Sequence, residues 1–251
     1  MEQDNIVSYD RIEGRNPVME AIRSGRSIDK ILIQKDINEG SIVKIRAAAQ
    51  ANRIVVSEVA KQKLDKLSQT GVHQGVIAYT AVHEYHEVDE ILALAQEAGE
   101  PPFLLIADEI TDPHNLGSMI RTANAAGVHG VIIPKHRSVG LSGTVAKASA
   151  GAIEYTPIAR VLNLARTIDE LKEKGIWVAG SDMEADQLYY EADFKGPLAL
   201  VVGSEGRGMS RLVKEKCDFL VSIPMQGRIN SLNASVAAAV LMLEAAKQRK
   251  S

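Results

Sequence analysis

From residue 103 onward, short unbroken apolar runs recur between segments of helical length: FLLIAD (103–108), GVIIP (130–134), IEYTPIA (153–159), IWVAG (176–180), PLALVVG (197–203) and DFLVSIP (218–224). A strand with one wetted face alternates apolar and polar residues. These runs do not alternate, so helices must cover both faces of the sheet they form. The pattern predicts an α/β fold with a mostly parallel sheet across residues 103–251.

Residues 1–85 read as a smaller α/β unit, with a helix capped by Asn16 and opened by Pro17, and strands near KILIQ, RIVVS and GVIAYTAV. Residues 86–102 join the two parts. This join holds an amphipathic acidic segment ending in GEPP, where two prolines stop a helix.

The net charge of -3 is no argument against a nucleic-acid partner. Residues 86–100, HEVDEILALAQEAGE, hold five carboxylates and no Lys or Arg, and the flanking regions are nearly balanced. Aromatic residues make up only 4% of the chain, so base-stacking platforms must be few. The single Cys217 excludes an internal disulfide and a multi-cysteine zinc site, and reads as a small buried hydrophobe. The histidines lack the spacing of a helical zinc pair, so no metal is expected. The polar, acidic start and the absence of an 18-residue apolar run imply a cytoplasmic protein without a membrane span.

Three segments carry chemistry. In DPHNLGSMIRTANAAG (112–127), helical spacing places Leu116, Met119, Ile120 and Ala123 on an apolar stripe, with Gly117, Arg121 and Asn124 near the opposite side. A bare glycine beneath an arginine suggests close approach of a ligand or another chain. In PLALVVGSEGRGMS a strand runs into a glycine-rich turn whose G-x-x-G-x-G spacing is neither the dinucleotide fingerprint nor the P-loop. Glu205 puts a carboxylate where a phosphate would lie, so a neutral or cationic ligand fits better than a polyphosphate. In SIPMQGRINSLNASVAAAVLMLEAA, Asn233 or Ser231 is suited to cap an Ala/Val-rich helix whose buried stripe would be Val236, Val240 and Leu243.

Taken in this order, the three segments resemble the motifs of the SpoU (TrmH-like) branch of the SPOUT methyltransferases: N-x-G-x-x-x-R at Asn115, Gly117 and Arg121; strand plus G-S-E-G-x-G at Gly203 and Glu205; and S-I-P-M with S-L-N-x-S at Ile223, Ser231, Leu232, Asn233 and Ser235. EGRNPVMEAI and GVHQGVIA resemble the small L30e-like substrate-binding domain of members that modify ribosomal RNA. In QGRINSLN the chain departs from the usual loop, at Gln226 and Arg228.

The resemblance implies a SPOUT domain with a trefoil knot and S-adenosylmethionine as cofactor. It implies 2'-O-methylation of an RNA ribose, with a guanosine of 23S rRNA as the leading target. A tRNA substrate, or a non-catalytic RNA-binding homologue, is the alternative. Carried over by position, Arg121, Asn115, Glu205, Ser231 and Asn233 are the catalytic candidates. Gly203, Ile223 and Leu232 would read the adenine edge through backbone groups, and Arg15 and Asn16 would contact RNA. The resemblance also implies a homodimer with active sites completed across its interface.

Overall fold

A computed structural model describes residues 10–37, 39–81, 83–227 and 231–250. Arg228, in the loop singled out above, lies outside the described residues. The chain divides into two compact units: residues up to Glu84 together with Gly140–Thr144, and Tyr85–Val139 together with Val145 onward.

In the smaller unit the elements run β1 (Asp10–Glu13), α1 (Arg15–Arg23), β2 (Ile28–Gln34), α2 (Gly40–Ala51), β3 (Val55–Val59), α3 (Lys61–Leu67) and β4 (Val76–Thr80). The sheet order is β1-β4-β2-β3, with β4 antiparallel to both β1 and β2, and β3 parallel to β2. Successive side chains of β2 take opposite faces. Ile31 and Ile33 pack with Val18 and Ile22 of α1 and Ile42 and Ile45 of α2. Leu32 turns the other way and meets Leu64 of α3 and Ile77.

The expected Asn16 cap is incorrect. Helix α1 starts two residues earlier, at Arg15, Gly14 is its N-cap without any side-chain cap bond, and Asn16 sits exposed in the first turn. Gly14 has φ 92°, a conformation that costs glycine little. It turns the chain directly from β1 into the helix, so no capping side chain is needed. Strand β1 itself, DRIE, was not evident in the sequence.

The larger unit contains α4 (Val88–Glu97), β5 (Phe103–Ala107), α5 (Pro113–Ala126), β6 (Gly130–Pro134), α6 (Gly143–Ala148) from Val145 onward, β7 (Ile158–Val161), α7 (Leu164–Glu173), β8 (Trp177–Ser181), β9 (Leu198–Val202), α8 (Arg211–Lys216), β10 (Phe219–Val221) and α9 (Ala234–Arg249). Six parallel strands lie in the order β10-β8-β9-β5-β6-β7. Every residue of β5, β6 and β9 is buried, as unbroken apolar runs require. One core cluster joins Ile91 of α4, Ile168 and Leu171 of α7 and Val213 of α8 to Leu104, Ile106, Ile132 and Val201. Fully burying each such side chain contributes roughly 1.5–3 kcal/mol. The segment expected to join the two parts is therefore packed through α4 onto the larger unit.

Two expectations change. IEYTPIA is not one strand: Ala152–Glu154 is a 3-10 turn and β7 begins only at Ile158, because Gly151 at φ 88° starts a turn and Pro157 has no N–H for a ladder. In α9, the buried face is Ala234, Ala238, Leu241, Met242 and Ala245, whereas Val236 and Leu243 are 46% and 53% exposed. A helix apolar on several sides gives no unique stripe to read.

Candidate active site

Strand β5 is followed by a connection toward β6, while β9, its neighbour, leads away toward β10 on the other side. Loops that diverge from adjacent parallel strands leave a crevice at their carboxyl ends, the usual ligand position in such sheets. The first two motif segments leave the sheet at that point.

Helix α5 starts under an Asp112 cap, whose Oδ1 accepts from the His114 amide at 3.1 Å, with Pro113 at the first position. This places Asn115 in the first turn. After β9 the chain folds back at Gly203, and Ser204 and Gly208 exchange backbone hydrogen bonds of 3.0 and 2.9 Å. A Cβ at Gly203 would clash with the backbone of Gly208 and Met209. The turn thus projects Glu205 from its tip.

Glu205 Oε1 accepts from Asn115 Nδ2 at 3.1 Å, from the Ala234 amide at 3.3 Å and from Asn233 Nδ2. Asn233 Nδ2 also donates to Asn115 Oδ1 at 2.9 Å. Its own Oδ1 caps α9, accepting from the Ser235 amide at 2.9 Å, the Ser235 hydroxyl at 2.6 Å and the Val236 amide at 3.4 Å. The three motif segments therefore converge on one carboxylate at the N-terminus of α9, where the helix dipole favours an anion. Among the described residues no cation pairs with Glu205. Its charge is held by neutral donors, which leaves a field that attracts a cation and repels phosphate.

Arg121 and Ser231 are outside this network. Both are exposed, and neither side chain bonds to a described residue. Gly117 is not an open landing place: it is buried, and a Cβ there would strike Ala148 and the Val145 carbonyl. The missing side chain lets α6 pack against α5 within the same unit. The Leu116, Met119, Ile120 and Ala123 stripe is fully buried, as its spacing requires.

Gly203 is buried, and Ile223 and Leu232 are half-buried; the backbone groups of all three hydrogen-bond to no described residue. Unpaired backbone polar groups at buried positions are rare. Here they follow β9, follow β10 and precede α9, a set suited to the edge of a heterocycle such as adenine. Arg15, by contrast, is engaged inside the smaller unit: Nε donates to the Gln74 carbonyl at 3.0 Å, and Nη1 contacts Ser41 Oγ at 3.0 Å and pairs with Glu39.

One supporting residue escaped sequence reading. Asp108, 3% exposed at the end of β5, accepts from the Ser210 amide at 2.7 Å and so pins the Glu205 turn to the central strand. Its only signal was an acid closing an apolar run. Cys217 donates to the Val213 carbonyl at 3.3 Å, and burial, aided by Asp218, pushes its thiol up to about 12, which leaves it inert near neutral pH. Among the described residues no three potential ligands gather to hold a metal ion, and no helix is long and apolar enough to cross a membrane.

Residues 102–243 match the SpoU rRNA Methylase family, and residues 11–86 match the RNA 2'-O ribose methyltransferase substrate binding family. The chain belongs to the SpoU rRNA methylase family. A Bacillus subtilis (strain 168) protein assigned to the TrmH family of tRNA/rRNA methyltransferases is 51% identical over 241 residues, 96% of each chain. Among solved structures, the SpoU methyltransferase AviRb from Streptomyces viridochromogenes, in complex with the cofactor AdoMet, is similar with a TM-score of 0.61 and 26% identity over 96% of this chain and 90% of that one. A structure concerned with 2'-OH methylation of C/U34 on tRNA is similar over 60% of this chain and 97% of its own, with TM-score 0.55 and 25% identity.

Proposed function

We propose that the protein transfers a methyl group from S-adenosylmethionine to a ribose 2'-hydroxyl of RNA, with a guanosine of 23S rRNA as the target. The convergence of Asn115 and Asn233 on the Glu205 carboxylate, which has no cationic partner among the described residues, carries the reading. The cofactor supplies an activated methyl group on a cationic sulfonium when bound. The backbone groups of Gly203, Ile223 and Leu232, which bond to no described residue, would hold its adenine edge, and the charge of Glu205 favours a cation nearby.

In-line attack by a hydroxyl needs alignment and a place for negative charge to develop. Arg121 suits the second task. A guanidinium offers a fixed cation and a planar fork of donors with no acceptor, so it stabilises the 2'-oxygen and holds the adjoining phosphate rather than acting as a base. Asn115, Ser231 and Asn233 orient the ribose. Arg121 lies outside the Glu205 network, and exposed Val236 and Leu243, with half-buried Val240 between them, run along α9 at i, i+4, i+7 spacing. Both features support a homodimer whose second copy completes the site. The reading carries with it the family's knotted C-terminal segment, a cytoplasmic location, and RNA contacts from the smaller unit near the exposed Asn16. The supporting likenesses include both rRNA- and tRNA-directed proteins, so the choice of RNA is tested directly. Mass spectrometry of rRNA and tRNA from a deletion strain is expected to show one 2'-O-methylguanosine missing from 23S rRNA. A loss confined to tRNA would move the target, and an unchanged set of 2'-O-methyl nucleosides would refute the activity.

A further inference from the structure

Three described non-glycine residues of the larger unit have left-handed backbone: Glu109 at φ 55°, Arg137 at φ 55° and Ala150 at φ 49°. All lie in segments that adjoin α5. Ala150 follows the Ala148 that packs on Gly117, Glu109 lies between β5 and α5, and Arg137 lies in the loop leaving β6. Such conformations cost energy, persist only where surrounding contacts enforce them and concentrate at functional sites.

The loops holding Glu109 and Arg137 are fastened together. The Val139 amide donates to the Ile110 carbonyl at 2.9 Å, the Ser138 hydroxyl donates to the same carbonyl at 3.1 Å, and Arg137 Nη1 donates to Glu109 Oε1 at 3.0 Å. Ile110 stands two residues before the Asp112 that caps α5. Arg137 is thereby bolted to the same junction that sets Asn115. The pair is lopsided: the Glu109 side chain is only 19% exposed and that of Arg137 is 79% exposed. Glu109 thus orients one edge of the guanidinium and leaves the rest of its donor fork in solvent. A planar fork held in this way matches a phosphodiester.

We propose that Arg137, oriented by Glu109, is an RNA phosphate contact that seats the strand flanking the target ribose. This rests on the reading of the site as an RNA 2'-O-methyltransferase. It adds to that reading a backbone contact outside the three motif segments, one that positions RNA without reading its sequence.

The test uses the full-length protein and rRNA purified from a strain lacking the gene, with RNA affinity measured across salt concentrations. Arg137→Ala is expected to weaken RNA binding several-fold and to make the slope of log affinity against log salt shallower by about one. Turnover at saturating RNA and affinity for S-adenosylmethionine should stay at wild-type values, and Arg137→Lys should keep the salt slope. An unchanged affinity and slope in Arg137→Ala would overturn the proposal, as would loss of S-adenosylmethionine binding in the same variant, which would mark a structural role. If the wild-type protein methylates no ribose in that RNA, the underlying reading falls as well. If it does and Arg137→Ala matches it throughout, only the present inference falls.

Discussion

Glu39 in the smaller unit and Glu205 in the larger are both exposed carboxylates held by hydrogen bonds, yet they are held by opposite means. Glu39 faces the Arg15 guanidinium, whose hydrogen bond and charge lower its pKa below the usual value. The pair neutralises itself and clasps a loop. Glu205 is gripped by two carboxamides and a helix amide, with no cation from the described residues. Its charge stays available to a ligand. The contrast separates a clasp from a site more sharply than residue type does, since an acid beside polar neighbours describes both.

The largest expected effect is at Glu205. Glu205→Gln preserves shape and removes charge, and should lower methyl transfer by about a hundredfold or more while barely moving the melting temperature. Labelled transfer and thermal melting measured together would expose the comparison as empty if turnover survived. Next is Gly117→Val, which drives atoms into Ala148 and the Val145 carbonyl. It should destabilise the larger unit by about 1–3 kcal/mol in denaturant titration, and a neutral result would mean that the contact with α6 is loose.

Much of this was legible in the sequence, for identifiable reasons. Both faces of β5, β6 and β9 are covered, so unbroken apolarity revealed them directly. Leu116, Met119, Ile120 and Ala123 form a single stripe, so helical spacing gave the buried face of α5. Helix α9 defeated the same reasoning because alanine and valine on several sides fit more than one face. Asn16 was assigned as a cap on residue type, but the backbone of Gly14 had already made the turn. Gly117 reads correctly as a place of close approach, but what approaches is α6 of the same chain rather than a ligand or another chain, because spacing along one helix carries no information about a neighbouring one. Asp108 and the Glu109–Arg137 pair depend on contacts between distant loops, which no local pattern encodes.

Smaller effects sharpen the contrast further. Asn233→Ala removes the cap of α9 together with a donor to Glu205, and should cost about 0.5–2 kcal/mol of stability along with part of the turnover. A loss of stability without any loss of turnover would reduce Asn233 to a cap. Smallest of all, Glu39→Gln should leave stability near neutral pH almost unchanged. Because the Arg15 guanidinium holds its carboxyl below the usual carboxylate value, its contribution is present above that usual value and fades as pH falls through the lowered one. Acid titration of the melting temperature should therefore be slightly flatter below pH 4.5 in the variant, and an unaltered curve would show that the clasp contributes nothing.

The most direct test of the central claim is where the methyl group goes. RNA from a deletion strain, incubated with the protein and methyl-labelled S-adenosylmethionine, should yield after alkaline hydrolysis a labelled dinucleotide resistant to cleavage, the signature of a blocked 2'-oxygen, and Glu205→Gln should yield almost none. Label on a base, or equal labelling by wild type and Glu205→Gln, would contradict the account.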